Sequence, residues 1–164
     1  MQPRIAEPDD EGAVSAVLLA SYTALLAKDY APAVLAAALP RMVRANPALL
    51  AEGSFYVIDG PDGTVIGCGG WTRAAPGSGE QTASVGHLRH FATHPAEARR
   101  GIGRLIYNRC VAAARVAGIT SLQAYSSLTA VPFYASVGLQ RIRDFDLTLG
   151  GDIRFPAVLM EGGI

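Results

Sequence analysis

The spacing of apolar and polar residues changes along the chain, and these changes predict its secondary structure. In residues 11–28 apolar side chains recur every three or four positions, the period of a helix with one buried face. A second helical pattern covers residues 29–45, where we expect Pro40 to break or kink the helix because proline lacks an N–H donor. Asn46-Pro47 is interpreted as the end of that helix.

The middle of the chain has the alternation typical of strands. Residues 54–59 and 64–73 predict a hairpin, joined by the turn residues of 60–63. A Gly-, Pro- and Ser-rich loop follows at 74–81, and then a strand at 82–93. The second half predicts a helix, a strand, a short helix and two terminal strands, at 101–117, 119–125, 129–137, 139–149 and 153–160.

With an opening strand at 4–7, the predicted order is β-α-α-β-β-β-α-β-α-β-β. This order indicates an α/β (α+β) fold of three layers, in which four helices flank a mixed, mostly antiparallel sheet of six to seven strands. A βαβ crossover is expected in the second half. Since no repeat or long linker divides the chain, we expect a single domain over 1–164.

Composition excludes some classes of protein. The 164 residues are half apolar, and 14 basic residues balance 14 acidic ones, so no bulk charge attracts nucleic acid or an anionic membrane. The first residues are acidic where a signal peptide would be apolar, and Lys28, Arg41 and Arg44 interrupt the apolar stretches. We therefore expect a soluble, cytoplasmic protein.

Cysteine and histidine do not indicate a metal site. Cys68 and Cys110 lie in apolar surroundings far apart and are expected to be buried hydrophobic residues. His87, His90 and His94 are close in sequence, but on an extended strand 87 and 90 face opposite sides and no fourth ligand is evident. We predict no metal.

The most informative stretch is 94–109, HPAEARRGIGRLIYNR. A strand ends, a basic turn follows, and a helix begins at the Gly-Ile-Gly of 101–103. The first N–H groups of a helix lack intrahelical partners and lie at the positive end of its dipole. Arg99, Arg100 and Arg104 add charge, so the turn predicts a phosphate site; an ordinary strand-to-helix turn with solvated arginines is the alternative.

A second stretch, SSLTAVPFYASVGL at 126–139, gives this turn a context. The turn Ala98–Gly103 and the helix segment Ala130–Leu139, with a compatible helix and strand between them, resemble the GNAT superfamily of N-acetyltransferases. The resemblance is specific over about 86–141 and elsewhere rests on element order. It implies an acetyltransferase that uses acetyl-CoA as cosubstrate.

The resemblance also implies residue roles. The pyrophosphate would lie on the turn, the pantetheine arm on the strand before it, and Ser127 and Phe133 would complete the set: Phe91, Ala92, Thr93, Arg99, Arg100, Gly101, Ile102, Gly103, Arg104, Ser127, Phe133. Ala98 departs from the usual Arg or Gln and Ser127 from a common Asn, which puts the strength of cosubstrate binding in question.

Two residues are candidates for proton transfer. By resemblance, Tyr134 lies near the thioester sulfur and protonates the departing thiolate, although a core tyrosine would also account for it. His87 occupies the position where many members have a glutamate that deprotonates the amine. A strand histidine bonded to a neighbour remains the alternative. Attack is expected to be direct, with backbone donors polarising the carbonyl.

The acceptor is the least determined feature. In this family the first two helices and neighbouring strands form its pocket, so Tyr22, Tyr30, Trp71 and Arg73 are candidates, with packing roles an equal alternative. No acidic cluster indicates a polycation; a small amine, an amino-acid derivative or a protein amine stays open. A non-catalytic acyl-CoA-binding module is the second hypothesis, motivated by Ala98 and His87. Homodimerisation is compatible with the sequence but not demonstrated by it.

Overall fold

The computed structural model describes all 164 residues and places one seven-stranded sheet at its centre. The strand order is β1-β2-β3-β4-β5-β7-β6, and every neighbouring pair is antiparallel except β4 with β5. The strands are β1 (Arg4–Ile5), β2 (Phe55–Asp59), β3 (Val65–Thr72), β4 (Val85–Thr93), β5 (Ser121–Ser127), β6 (Gln140–Leu149) and β7 (Ile153–Gly163). The predicted mixed, mostly antiparallel sheet with one βαβ crossover is confirmed.

Five α-helices cover the sheet where the sequence analysis predicted four: α1 (Glu11–Leu25), α2 (Pro32–Met42), α3 (Pro47–Ala51), α4 (Ile102–Val116) and α5 (Val131–Ser136). The additional helix is α3. Asn46 accepts a hydrogen bond from Ala48 N at 3.0 Å, and Pro47 fills the first helical position, where a missing N–H costs nothing. Asn46-Pro47 is thus the start of a helix as well as the end of the preceding segment. Pro40 lies in the last turn of α2, and the helix ends two residues after it.

The two faces of the sheet are covered by different helices. Alternate residues of β2 point in opposite directions, so Phe55 and Val57 pack beneath α1 while Tyr56 and Ile58 pack beneath α4. Strand β3 is buried along its whole length because helices cover both of its faces. The sheet therefore separates an α1–α3 side from an α4–α5 side.

The first helical stretch is more apolar than the sequence analysis allowed for. Pro8–Lys28 has the length and the mean hydropathy, 1.2, of a membrane-spanning helix, because its charges lie at its ends. Lys28, one of the charges that the sequence analysis took to interrupt the apolar stretches, lies at the end of this one and does not divide it. In the structure Val14, Val17 and Leu18 are buried against the sheet, as in the core helix of a globular domain.

Strands β4 and β5 pair only briefly. Val85 to His87 pair with Ser121 to Gln123, and beyond His87 the two strands diverge. A bulge in β4 accompanies this divergence: Cys68 pairs with Ala92 but Gly70 pairs with Arg89, so β4 carries one residue more than β3. His90 lies in the bulge with φ of 50°. The backbone of β4 after the bulge is therefore not hydrogen-bonded to β5.

The divergence leaves a gap between β4 and β5, and Tyr30 holds together the segments on the β5 side of it. It follows α1, stacks on Phe155 at 4.3 Å, and its hydroxyl donates to Pro156 O at 2.6 Å. The same hydroxyl accepts from Leu128 N at 2.7 Å, in the loop between β5 and α5. One buried side chain thus ties the end of α1, strand β7 and the approach to α5 together.

Replacing Tyr30 by Phe should destabilise the protein. The ring and its stacking remain, but Pro156 O and Leu128 N each lose a partner, and an unsatisfied buried polar group costs about 1–3 kcal/mol. Urea unfolding should show the free energy of unfolding falling by about that amount. A loss below about 0.5 kcal/mol, the usual range for surface substitutions, would contradict this account of the junction.

Candidate active site

A cavity of about 620 Å³ opens where β4 leaves β5. The end of α1, the free edge of β4, the turn before α4 and the start of α5 form its walls. Its lining includes Ser21, Tyr22, Leu25, Leu26, Lys28, Phe91, Ala92, Thr93, Ala98, Arg99, Gly101, Ile102, Gly103, Arg104, Ser127, Thr129, Ala130, Pro132, Phe133 and Ser136. The structure thus brings together every residue predicted to bind the cosubstrate, with the exception of Arg100.

The turn before α4 has the backbone geometry of an anion site. Arg99 and Gly101 both have positive φ, 67° and 80°, and Gly101 caps the N-terminus of α4. Left-handed residues alternating with others direct successive N–H groups toward one side, where they can bind an anion. Glycine adopts the conformation at 101 without strain. The 15-residue helix adds the positive end of its dipole.

Close packing places the start of α4 directly on the sheet. A Cβ atom at Gly67 in β3 would collide with the Ile102 side chain, so this strand position must be glycine for the helix to approach so closely. The first residues of α4 therefore face the cavity from a fixed position.

The cations around the turn have different partners. Arg99 and Arg104 line the cavity, and Arg104 also donates to Ser136 O at 3.0 Å. Arg100 forms an ion pair with Glu97 and does not line the cavity. Lys28 lines it from the end of α1. Sequence reasoning missed Lys28, whose only signal was its position at the end of an uncharged helical stretch.

The free edge of β4 and the start of α5 form the inner wall. Phe91, Ala92 and Thr93 line the cavity after the bulge, and Phe133 faces them with ring centroids of Phe91 and Phe133 5.9 Å apart. Ser127 accepts from Ala130 N at 3.1 Å and so stabilises the turn into α5. The serine thereby supplies a side-chain acceptor just before this helix.

Two tyrosine hydroxyls lie close to this wall. Tyr134 is 6% exposed, and burial raises its pKa well above the usual range. Tyr22 lines the cavity, and its hydroxyl lies 3.5 Å from Phe91 O. Burial also raises the pKa of Tyr22, with smaller contributions from Cys68 and Tyr134. Both phenols are protonated at neutral pH and can serve as proton donors.

His87 lies at the last position where β4 pairs with β5, between Thr72 of β3 and Gln123 of β5. It is 5% exposed, and its Nδ1 is buried without a hydrogen-bond partner. Burial, and secondarily the charge of Arg89, lower its pKa below 6.5. At neutral pH the imidazole is therefore uncharged and retains a lone pair that can accept a proton.

The other two histidines have separate environments. Burial, with the charge of Arg89, lowers the pKa of His90 to about 4. His94 Nδ1 accepts from Ala96 N at 3.2 Å and caps the short turn Pro95–Glu97. No group of three His, Cys, Asp or Glu side chains converges as a metal site would require. His90 was considered in the sequence only as a metal ligand, because a bulge leaves no signal in the alternation of a strand.

Of the four acceptor candidates, Tyr22 lines the cavity and three do not: Tyr30, Trp71 and Arg73. Trp71 points toward α4 into the core, where it is 6% exposed. Arg73 donates to Ala117 O at the end of α4. Neither lines the cavity, and the contact of these two residues with the acceptor stays a prediction.

The cysteines are buried and unpaired. Burial raises the pKa of Cys68 to about 12 and that of Cys110 further. Because the thiolate is the nucleophilic form, neither side chain is suited to carry an acyl group at neutral pH.

Comparison with known proteins identifies the class. Residues 20–139 match the acetyltransferase (GNAT) family model. The match covers most of the chain, and the protein therefore belongs to the GNAT acetyltransferase family. No curated protein sequence matches it.

Solved structures share the fold at low sequence identity. A GCN5-related N-acetyltransferase from Rhodopseudomonas palustris superposes with a TM-score of 0.74 at 18% identity, covering 99% of this chain and 94% of the other. The PaiA N-acetyltransferase from Thermoplasma acidophilum, in complex with coenzyme A, gives 0.72 at 16% identity over 99% and 98%. Rv2747 from Mycobacterium tuberculosis, in complex with CoA, gives 0.65 at 19% identity over 100% and 99%.

The low pKa of His90 predicts acid sensitivity. Unfolding restores the pKa to about 6.5, so the unfolded chain binds more protons, and stability should fall as the pH drops from about 6.5 to about 4. His90 contributes at most about 1.4 kcal/mol per pH unit in that window. His90→Asn, which tolerates positive φ, should flatten the urea-unfolding stability curve there. Parallel curves of unfolding free energy against pH for the two proteins would contradict the assignment of the acid sensitivity to His90. His87 is present in both proteins, so its contribution cancels in the comparison.

Proposed function

We propose that this protein transfers an acetyl group from acetyl-CoA to a primary amine by direct attack of the amine. The observation that carries the proposal is the single cavity that joins an anion-binding turn, an unpaired strand edge and Phe133 of α5. Coenzyme A is a phosphate-bearing molecule with a long amide-containing arm. The turn can bind its phosphates, and the unpaired strand edge can form hydrogen bonds with the amides of its arm. CoA-bound structures of the same fold support this assignment.

The chain offers two kinds of contact to the cosubstrate. The amides of the turn, with Arg99, Arg104 and Lys28, supply positive charge for phosphates. The backbone of β4 from Phe91 to Thr93 has donors and acceptors that β5 does not satisfy, and these can pair with the amides of the arm. When bound, acetyl-CoA supplies an activated thioester next to the bulge.

Acetyl-CoA binding should depend on charge at the turn. Arg99→Glu should weaken the affinity by about 10- to 100-fold, since hydrogen bonds to charged groups contribute about 1.5–3 kcal/mol. Isothermal calorimetry measures this directly. Arg115→Glu is the matched control. The substitution makes the same change in net charge, but Arg115 lies in the last turn of α4, at the end of the helix away from the turn that holds Arg99. Equal affinities for the two variants, or no binding to the native protein, would contradict the phosphate site.

Proton transfer requires a base for the amine. An alkylammonium has a pKa of about 10.4 and no lone pair, so it must lose a proton before it attacks. We assign this role to His87, directly or through water, because burial keeps its imidazole neutral and leaves Nδ1 without a partner. The new C–N bond then forms as the C–S bond breaks, and the proton remains on the base until it is released to solvent.

Tyr134 is the proposed donor to the departing thiolate. It lies beside Phe91, with ring centroids 6.0 Å apart, and its phenol is neutral. Tyr134 gives its proton to the departing thiolate, and the second proton, which the attacking nitrogen loses as the amide forms, restores the phenol. The products are then a neutral thiol and a neutral amide. The buried cysteines remain outside this scheme because their thiols stay protonated.

Tyr134→Phe should lower kcat by about 100-fold, at the lower end of what general acid catalysis contributes. Acetyl-CoA affinity should stay within about threefold because the ring is retained. Tyr107→Phe is the matched control, since Tyr107 is also 6% exposed but lies on α4 outside the cavity. Steady-state release of CoA with an amine acceptor gives both constants. Equal turnover in both variants would remove Tyr134 from the mechanism.

The acceptor is proposed to be a small amine or an amino-acid derivative, in a single-domain cytoplasmic protein. The second hypothesis from the sequence analysis is a non-catalytic acyl-CoA-binding module. Acetyl-CoA binding without CoA release, across amines of different class, is the result that would favour that module over the enzyme.

A further inference from the structure

An aromatic surface lies on the α1–α3 side of the sheet where β4 and β5 diverge. His87 and Gln123 are paired in register, so their side chains point to this same face of the sheet. Side chains two positions apart on a strand share a face, so Arg89 and Tyr125 point to this side as well. His87 contacts Tyr125 edge-on at 6.1 Å, and Tyr125 contacts Phe145 at 5.3 Å. We call the side chains of Arg89, His87, Tyr125 and Phe145 the acceptor patch.

Arg89 is a half-buried cation without an anionic partner. Its Nη1 donates to Thr72 Oγ1 at 3.1 Å, a neutral acceptor, and it forms no ion pair. The nearby carboxylate that acts on it is Glu52, which is exposed. Burial of a charge costs free energy unless the charge is paired. Arg89 would therefore gain more from a carboxylate ligand than a solvated arginine would.

The acid beside the patch is already engaged. Glu161 accepts from Ser121 Oγ and from Gln123 Nε2, each at 2.9 Å. A second cation, Arg143, lies over Phe145 at 5.3 Å and is exposed. The charges that face this part of the sheet thus favour an anionic group on the acceptor over an additional cationic one.

We propose that the acceptor is an amino acid with an apolar side chain, whose carboxylate binds Arg89 and whose side chain lies on Tyr125 and Phe145. The proposal rests on the proposed function and specifies its acceptor. Its amine would then reach the mouth of the gap beside His87, which adjoins both Arg89 and Tyr125. The charge of Arg89 is one of the two causes that lower the pKa of His87. A carboxylate bound to Arg89 would neutralise that charge, so binding of the acceptor would raise the pKa of the imidazole that deprotonates its amine.

The test compares each acid with its amide. Phenylalanine and leucine are paired with phenylalaninamide and leucinamide, and kcat/KM is measured with acetyl-CoA in the native protein, Arg89→Met and Arg143→Met. The amide has the less basic amine, about 7.7 as in a chain terminus, so it supplies more free nucleophile at neutral pH. A preference for the acid therefore reports on binding of the carboxylate.

The native protein should prefer the acids by about 10- to 100-fold, the range for hydrogen bonds to charged groups. Arg89→Met, which keeps an apolar stem, should reduce that ratio to within about threefold of one, mainly through KM for the acid. Arg143→Met should leave most of the preference. A native ratio near one, an unchanged ratio in Arg89→Met, or loss of the ratio in Arg143→Met instead would each overturn the proposal.

A binding measurement separates this proposal from the proposed function. Calorimetry of phenylalanine and phenylalaninamide in the presence of CoA does not require turnover. Binding of the acid that Arg89→Met abolishes, without acetyl transfer, would support the acceptor site and contradict the enzyme. Transfer to acids and amides alike would support the enzyme and contradict the acceptor site.

Discussion

The brief pairing of β4 with β5 is the constraint on which the site depends. After three residue pairs the strands separate, and backbone groups that a sheet would normally satisfy are left open to the cavity. The bulge at His90 adds one residue to β4 and turns the strand away, while the Cys68 thiol donates to His90 O at 3.4 Å. On the opposite side Tyr30 holds the loop after β5 in place. The bulge, the brief pairing and the Tyr30 junction therefore define the gap between β4 and β5.

Burial gives the groups around the gap their chemical states. His87 and Tyr134 are both nearly inaccessible and both uncharged at neutral pH, one as a potential acceptor of a proton and the other as a donor. Positive charge is instead concentrated at the outer end, where Arg99, Arg104 and Lys28 surround the turn. A chain with no net charge thus carries a local concentration of positive charge at the turn and, further inside, uncharged side chains at the proposed reaction site.

Much of this arrangement could be predicted from local patterns. The strand periods, the βαβ crossover and the turn at 98–103 are determined by residues near one another in sequence, and the structure has them where expected. Helix α3 was missed because an Asn-Pro pair can end one helix and begin another. The start signal was present in Asn46, a good N-cap residue.

Other features depend on contacts between distant segments. The direction of Trp71 toward α4 and the bond from Arg73 to Ala117 O follow from tertiary packing, which spacing alone does not show. The bulge at His90 and the isolated charge of Arg89 have the same origin. Ten of the eleven residues predicted to bind the cosubstrate line one cavity, with Arg100 the exception, whereas of the four acceptor candidates only Tyr22 does so.

Hydrogen exchange of backbone amides, with and without acetyl-CoA, tests the central claim most directly. If the gap and the turn form the cosubstrate site, protection should appear at residues 91–93 and 99–104 and at the start of α5. Protection confined to the other large cavity, lined by Val17, Thr64, Ile66 and His94 among others, or no protection at all, would contradict the account.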